Sequence, residues 1–145
     1  MPDPTDRDAG HQERDAPETL RLKSVSPSLT VDDLEASLEW YCDRVGFHLE
    51  EKHGHEGEVG GATLLAGEQR FMIWQDDWAK GRDRDKGEGF RLFLEASQPV
   101  DEVAAAIRKR GGTLESEPAD MPWGGRAFDL IDPNGFKLTI LEPGA

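Results

Sequence analysis

A single cysteine, Cys42, excludes an internal disulfide and a cysteine-based zinc site. Its place in a helical Trp-Tyr-Cys run marks it as a small filler rather than a nucleophile. The four histidines, His11, His48, His53 and His55, are not spaced as a ligand set. Lysine is scarce, 6 against 11 arginines, and 30 acidic residues leave a formal net charge of −13. So acidic a surface repels phosphate backbones, so nucleic acid is not an expected partner. It favours solubility or life in high salt, and it draws cations. No apolar run is long enough for a signal peptide or a membrane span; a soluble, cytoplasmic protein with no membrane partner is expected. Neither a Ser-His-Asp order nor a nucleophile elbow is visible, and Gly60-Gly61 and Gly111-Gly112 read as turn glycines, not phosphate loops.

What the chain does have is an internal repeat. At an offset of 65 residues, Leu29 falls on Leu94, Leu38 on Val103, Gly46 on Gly111, Phe71 on Phe136 and Ile73 on Leu138. A chain of 145 residues is expected to form one domain. Residues 1–19 hold six acids and three prolines with no large apolar residue except Met1, which predicts a disordered tail. Residues 20–145 then form the domain: repeat one at about 21–76, a charged connector at 77–89 and repeat two at about 90–143.

Each repeat reads as β-α-β-β-β, an α+β chain of eight strands and two helices. Leu20 to Val31 predicts a strand interrupted by Pro27. Asp32 predicts an N-cap with Glu35 closing a capping box, and Gly46 a helix stop. His53 to Gly57 predicts a polar turn between strands. In repeat two, Val100 to Arg110 predicts a helix stopped by Gly111-Gly112. Strands are expected at Phe90–Glu95, Thr113–Glu117, Ala127–Ile131 and Phe136–Leu141, with Asp132-Pro133-Asn134-Gly135 as the last turn.

Two segments carry a family likeness: Leu29 to Phe47, a strand followed by an aromatic-bearing helix and a Val-Gly-Phe stop, and Pro122 to Glu142, a hairpin with an Asp-Pro-Asn-Gly turn. Together with the repeat they resemble the vicinal oxygen chelate superfamily, which includes glyoxalase I, bleomycin-resistance proteins, fosfomycin-resistance enzymes and extradiol dioxygenases. The likeness spans about 21–143 and is nearest to the bleomycin-resistance branch. It implies two βαβββ repeats forming a curved, half-open barrel of eight strands, with helices outside and a concave cleft. It also implies a homodimer whose clefts are shaped by both subunits.

In the metal enzymes of that superfamily, four strand positions supply His, Glu or Gln to a divalent cation. Carried onto this chain, they are Ser26, Trp74, Arg91 and Thr139. None of these ligates a divalent ion well, and Arg91 repels one, so no metal and no cofactor is expected. The aromatics Trp74, Phe93 and Trp123 point instead to stacking of a planar or cationic ligand, with Arg91, Ser26, Thr139 and Glu95 as polar contacts. The competing reading places those aromatics in a core or a subunit interface. The expected function is therefore metal-independent small-molecule binding, a sequestration in an aromatic-lined cleft. The alternative is a lyase, isomerase or dioxygenase of the same superfamily using a displaced site built from Glu95, Gln75, His48, His53 or His55.

Overall fold

The structure is a computed structural model describing residues 19–144. Of the expected tail, 1–19, all but Thr19 lies outside the described residues. Eight strands and two helices follow in the order β1 (Ser28–Val31), α1 (Leu34–Leu38, widening into a π-helical stretch, Glu39–Val45), β2 (His48–His55), β3 (Glu58–Ala66), β4 (Gln69–Gln75), β5 (Arg91–Glu95), α2 (Val100–Lys109), β6 (Ala119–Asp120), β7 (Arg126–Ile131) and β8 (Lys137–Glu142). They form two four-stranded sheets of identical topology, β1-β4-β3-β2 and β5-β8-β7-β6, curled as in a half-open barrel.

Strand alternation divides each sheet into two faces. Leu29, Val31, Phe71 and Ile73 of sheet one share a single core with Leu138, Ile140, Phe128 and Leu130 of sheet two, and the helices pack into it. The opposite faces carry Thr30, Trp74, Phe93, Thr139 and Asp129. The two helix ends are tied reciprocally: Arg44 donates to the Arg110 carbonyl at 3.0 Å, and Arg110 donates to the carbonyls of Arg44 and Val45 at 2.9 and 2.6 Å. Carbonyls that a helix end leaves unpaired are thus satisfied across the repeat axis.

Several expected boundaries move, each for a local reason. The strand expected over 20–31 exists only at its end, because Pro27 lacks an N–H for the ladder. The N-cap is Asp33, not Asp32: Asp33 is extended (φ −142°) and accepts from the Ala36 amide at 3.2 Å, so Glu35 closes no capping box. Asp32 is engaged elsewhere, taking the Lys86 ammonium on its carboxylate. The helix stop at Gly46 holds, with φ 110°, a conformation open to glycine. His53 to His55 lie in β2, not in a turn; the turn is shorter, at Glu56-Gly57. No strand forms over 113–117. There the Glu115 and Ser116 amides both fall to the Asp129 carbonyl, and pairing resumes only beyond Pro118.

The segment between the repeats is folded rather than a loose linker. Trp78 lies under Arg82 and Lys86, whose cations sit 4.2 and 4.7 Å from its ring centroid. Trp78 has a left-handed backbone (φ 62°), held by its amide donating to Asp76 Oδ1 at 2.9 Å. The Asp76 carboxylate also takes Arg84 at 2.5 Å and the buried Lys86 at 2.9 Å. These bonds, Lys86 first, hold Asp76 below its ordinary carboxylate pKa. A depressed acid lends stability above its unfolded pKa and loses it as the pH falls through the lower folded value, so this clamp persists at neutral pH and opens only in strong acid. Asp76→Asn is expected to speed tryptic cleavage after Lys80, Arg82 or Arg84 at pH 7 by about tenfold, through more frequent local opening. Cleavage at the wild-type rate would show that something other than this carboxylate holds the segment.

Candidate functional site

The register sets one row of side chains across the open face of each sheet. In sheet one, Thr30 pairs with Trp74, Trp74 with Gly61, and Gly61 with His53. In sheet two, Phe93 pairs with Thr139 and Thr139 with Asp129. Trp74 and Thr139 are thus equivalent at the 65-residue offset. The first strands are not: Thr30 matches Phe93, and Ser28 matches Arg91, an offset of 63. The difference lies in the strand-to-helix connection, two residues after β1 (Asp32, Asp33) and four after β5 (Ala96 to Pro99).

This shift corrects the placement of Ser26. It precedes β1 and lies outside the sheet, whereas Ser28 stands in the place expected for it. The Trp74 indole N–H donates to Ser28 Oγ at 3.0 Å. The counterpart contact in sheet two is Arg91 Nη1 to Thr139 Oγ1 at 2.6 Å. A divalent ion does not fit these positions. A permanent cation, Arg91, occupies one, an indole another, and the two hydroxyls are engaged as acceptors by those same neighbours. Among the described residues, no three His, Cys, Asp or Glu side chains are grouped to hold a metal.

Trp74 stacks on His53, with ring centroids 5.5 Å apart and planes 23° from parallel. The His53 ring is held by Thr63 Oγ1, 2.7 Å from Nε2. Gly61 between them has no side chain, and a Cβ there would run into the indole. The pair lines a cavity of about 650 Å³ with Gly54, Glu58, Val59, Gly60, Asp76 and Asp77. That is the size of an ordinary small-molecule site. Glu58 and Asp77 make the walls anionic, the Asp76 carboxylate being spent on Arg84 and Lys86, and the aromatic surface is the kind that cations and flat rings favour.

Sheet two presents a different surface. Arg91, Phe93, Trp123, Met121, Asp129 and Thr139 line a cavity of about 450 Å³, and it shares no residue with the sheet-one cavity. Phe93 and Trp123 are 66 and 75% exposed, so neither is core. Thr139 donates to Asp129 Oδ1 at 2.6 Å, and Arg91 Nη1 approaches the same oxygen at 3.3 Å. Glu95 does not line this cavity; it lies with Leu94, Ser97 and Gln98 in a separate groove beside the end of α1. Of the expected contact residues, the structure brings Trp74 to one face and Arg91, Phe93, Trp123 and Thr139 to the other.

Sequence reasoning missed Ser28 and Asp129, and it offers His53 only for a displaced site, not as the stacking partner of Trp74. For His53 the one available signal was Gly60-Gly61, which reads as a turn but marks a strand position where a large neighbour lies across the backbone. Trp78 lies outside this row and packs under the connector cations. Gln75 is spent on structure, bonding the Asp32 carbonyl and the Leu34 amide at 2.8 and 2.9 Å. Cys42 is half-buried, and burial followed by the Asp43 charge raises its thiol pKa, which keeps it protonated and inert.

Comparison with known proteins agrees with this architecture. The family model for the Glyoxalase/Bleomycin resistance protein/Dioxygenase superfamily matches residues 21–140. A probable lactoylglutathione lyase of Synechocystis is 29% identical over 79% of this chain and 90% of its own length. A bleomycin resistance protein of Geobacillus stearothermophilus is 29% identical over 83% of this chain and 96% of its own. In fold, a glyoxalase/bleomycin resistance protein/dioxygenase from Nocardioides superposes with a TM-score of 0.67 at 22% identity, covering 94% of this chain and 93% of that one.

Proposed function

The chain belongs to the Glyoxalase/Bleomycin resistance protein/Dioxygenase superfamily, and from that premise we propose that it binds a planar, cationic small molecule without a metal and holds it unchanged. The observation that carries this reading is the Trp74–His53 stack set in a cavity walled by Glu58 and Asp77. Flat cations gain there from ring stacking and from the carboxylate field, and no bond needs to be made or broken. At low ionic strength, where screening is weak, a net charge of −13 adds to the encounter rate. The relatives named bleomycin resistance proteins support binding over turnover.

The assembly that fits this reading is a homodimer. Each concave face is open in the single chain, and the two cavities share no residue, so a second subunit would supply the missing wall of each. A cleft closed in this way excludes water and strengthens each polar contact inside it.

The reading is tested by titrating protein stripped with a chelator. Bleomycin and the simple probe 2-naphthylmethylammonium are both expected to bind with Kd in the micromolar range, read by tryptophan quenching and calorimetry. Neutral 2-naphthamide is expected to bind about tenfold more weakly, the share of about 1.4 kcal/mol owed to the positive charge. The relative named as a probable lactoylglutathione lyase defines the opposite outcome. Turnover of a hemithioacetal that chelator abolishes, with one tightly held metal equivalent, would overturn sequestration.

A further inference from the structure

The two open faces differ in charge, and this difference identifies a second ligand chemistry. We propose that the sheet-two cavity is an anion site for aromatic carboxylates: Arg91 takes the carboxylate while Phe93 and Trp123 hold the ring. This deepens the small-molecule reading above, on which it rests only in taking the concave faces as binding surfaces.

The first argument is the state of the Arg91 guanidinium. Its Nη1 is fixed by Thr139 Oγ1 at 2.6 Å and Asp129 Oδ1 at 3.3 Å. Among the described residues its Nε and Nη2 have no protein partner. Those two nitrogens form the side-on fork of the group, the edge that matches a carboxylate with two parallel hydrogen bonds. A lysine in this place would offer a point charge without that geometry. Fixing Nη1 costs the ligand nothing, because Thr139 and Asp129 have already oriented the plane before it arrives.

Local charge makes the second argument. Lys137 is the register partner of Arg91 on the neighbouring strand, so its side chain leaves the same face. No ion pair to Lys137 occurs among the described residues. Arg91 is the cation among the residues lining the cavity, and Lys137 adds a second on the same strand face outside that lining, against Asp129; the other lining acid, Glu117, is paired with Arg108 outside the cavity. A net charge of −13 does not cancel this patch. The Debye length at physiological ionic strength is about 8 Å, so distant acids are screened while the fork in the cavity is not.

The third argument is the apolar surface around the fork. Phe93 projects from β5 in the row directly beside Arg91, and Trp123 overhangs from the loop before β7 with Met121. The loop turns through two successive positive-φ glycines, Gly124 (φ 102°) and Gly125 (φ 82°), the conformation that frees Trp123 from the sheet. Two rings beside a guanidinium fork suit a bicyclic acid better than an inorganic anion, which gains nothing from stacking.

A matched set of probes tests this: 2-naphthoate, 2-naphthamide and 2-naphthylmethylammonium, each titrated by calorimetry into the full chain. Wild type is expected to bind 2-naphthoate at least tenfold more tightly than 2-naphthamide. Arg91→Gln is expected to remove that preference, bringing the acid to the level of the amide. Arg91→Lys is expected to restore only part of it, since the fork is lost. Trp123→Ala, at a residue 75% exposed and outside the core, is expected to weaken acid and amide alike by about tenfold. Trp74→Ala is expected to leave 2-naphthoate untouched while weakening the ammonium probe. Equal binding of acid and amide, an unchanged preference in Arg91→Gln, or no uptake of 2-naphthoate at its solubility limit would each overturn the anion site. A loss of 2-naphthoate in Trp74→Ala would instead show one merged site. A failure of the ammonium probe alone would sink the sheet-one reading and leave this one standing.

Discussion

Asp132→Ala is expected to lower unfolding stability by about 3–5 kcal/mol, a large part of the 5–15 kcal/mol that a domain of this size commands. Asp132 is only 4% exposed, yet its carboxylate accepts four hydrogen bonds. Tyr41 Oη donates at 2.8 Å, the Asn134 and Phe136 amides each at 2.8 Å, and Asn134 Nδ2 at 3.1 Å. Alanine removes every acceptor and leaves those donors buried, and a stranded donor costs more than the bond it once made. The loss also crosses the repeat axis. Tyr41 belongs to the first helix, and Asn134 binds both the Asp32 amide at 2.8 Å and Ser37 Oγ at 3.3 Å. The turn that sequence marks as a hairpin tip is therefore a tie between the halves. Urea unfolding followed by tryptophan emission measures the effect, and a change below about 1 kcal/mol would show that the tie is dispensable. Tyr41→Phe is expected to cost less, about 1–2 kcal/mol, because one bond goes and one acceptor keeps three others. Burial, then the Asp132 charge, raises the Tyr41 pKa well above 10.0. A raised pKa gives stability in full below the unfolded value and loses it as pH climbs, so wild type should weaken above about pH 10 more steeply than Tyr41→Phe.

The architecture was legible because its signals are local and repeated. Gly46 and Gly111 both take the positive φ that their place at a helix stop implies, and the apolar alternation of Phe71 and Ile73 recurs as Phe136 and Leu138. What misled was the assumption of one offset throughout. The second strand-to-helix connection is two residues longer, four (Ala96 to Pro99) against two (Asp32, Asp33), so β5 slips two residues along the repeat while β8 does not. A two-residue slip preserves parity, which is why the correct face was identified while Ser26 stood in for Ser28.

The site was less legible than the fold because its defining contacts are pairwise and distant in sequence. Nothing in the run from His53 to Gly57 shows that His53 lies in a strand, since glycines and polar residues are also how a turn reads. Only the register, which sets His53 opposite Gly61 and Gly61 opposite Trp74, reveals the stack. Asp129 was placed on its strand but not tied to Arg91, because 38 residues separate them and charge spacing cannot bridge that. The folding of the connector is illegible in the sequence for a related reason. Composition shows charge and glycine, whereas the Trp78 clamp depends on which cations return to which ring.

Trp74→Ala is expected to weaken the 2-naphthylmethylammonium probe by about 30-fold, near 2 kcal/mol, while the chain stays folded. The indole is half-buried and stacks on His53 on the open face of the sheet, so its loss removes stacking area and cation–π attraction together. The hydrophobic core is not touched, because Phe71 and Ile73 of the same strand face the other way. Truncation alone, however, leaves open whether the ring or its exact seat matters. Gly61→Val answers that, since it keeps the indole and takes away its place. A Cβ at 61 would collide with the six-membered ring of Trp74, and this clash can be relieved only by tilting the indole or shifting the β3–β4 backbone. If the probe lies on the Trp74–His53 stack, both variants lose affinity to a similar degree. Gly61→Val should also shift tryptophan emission, because the Nε1 bond to Ser28 at 3.0 Å breaks as the ring tilts. Full affinity in Trp74→Ala would remove the stack from the site. Loss in Trp74→Ala with full affinity in Gly61→Val would mean that apolar area suffices and that the stacked geometry plays no part in recognition.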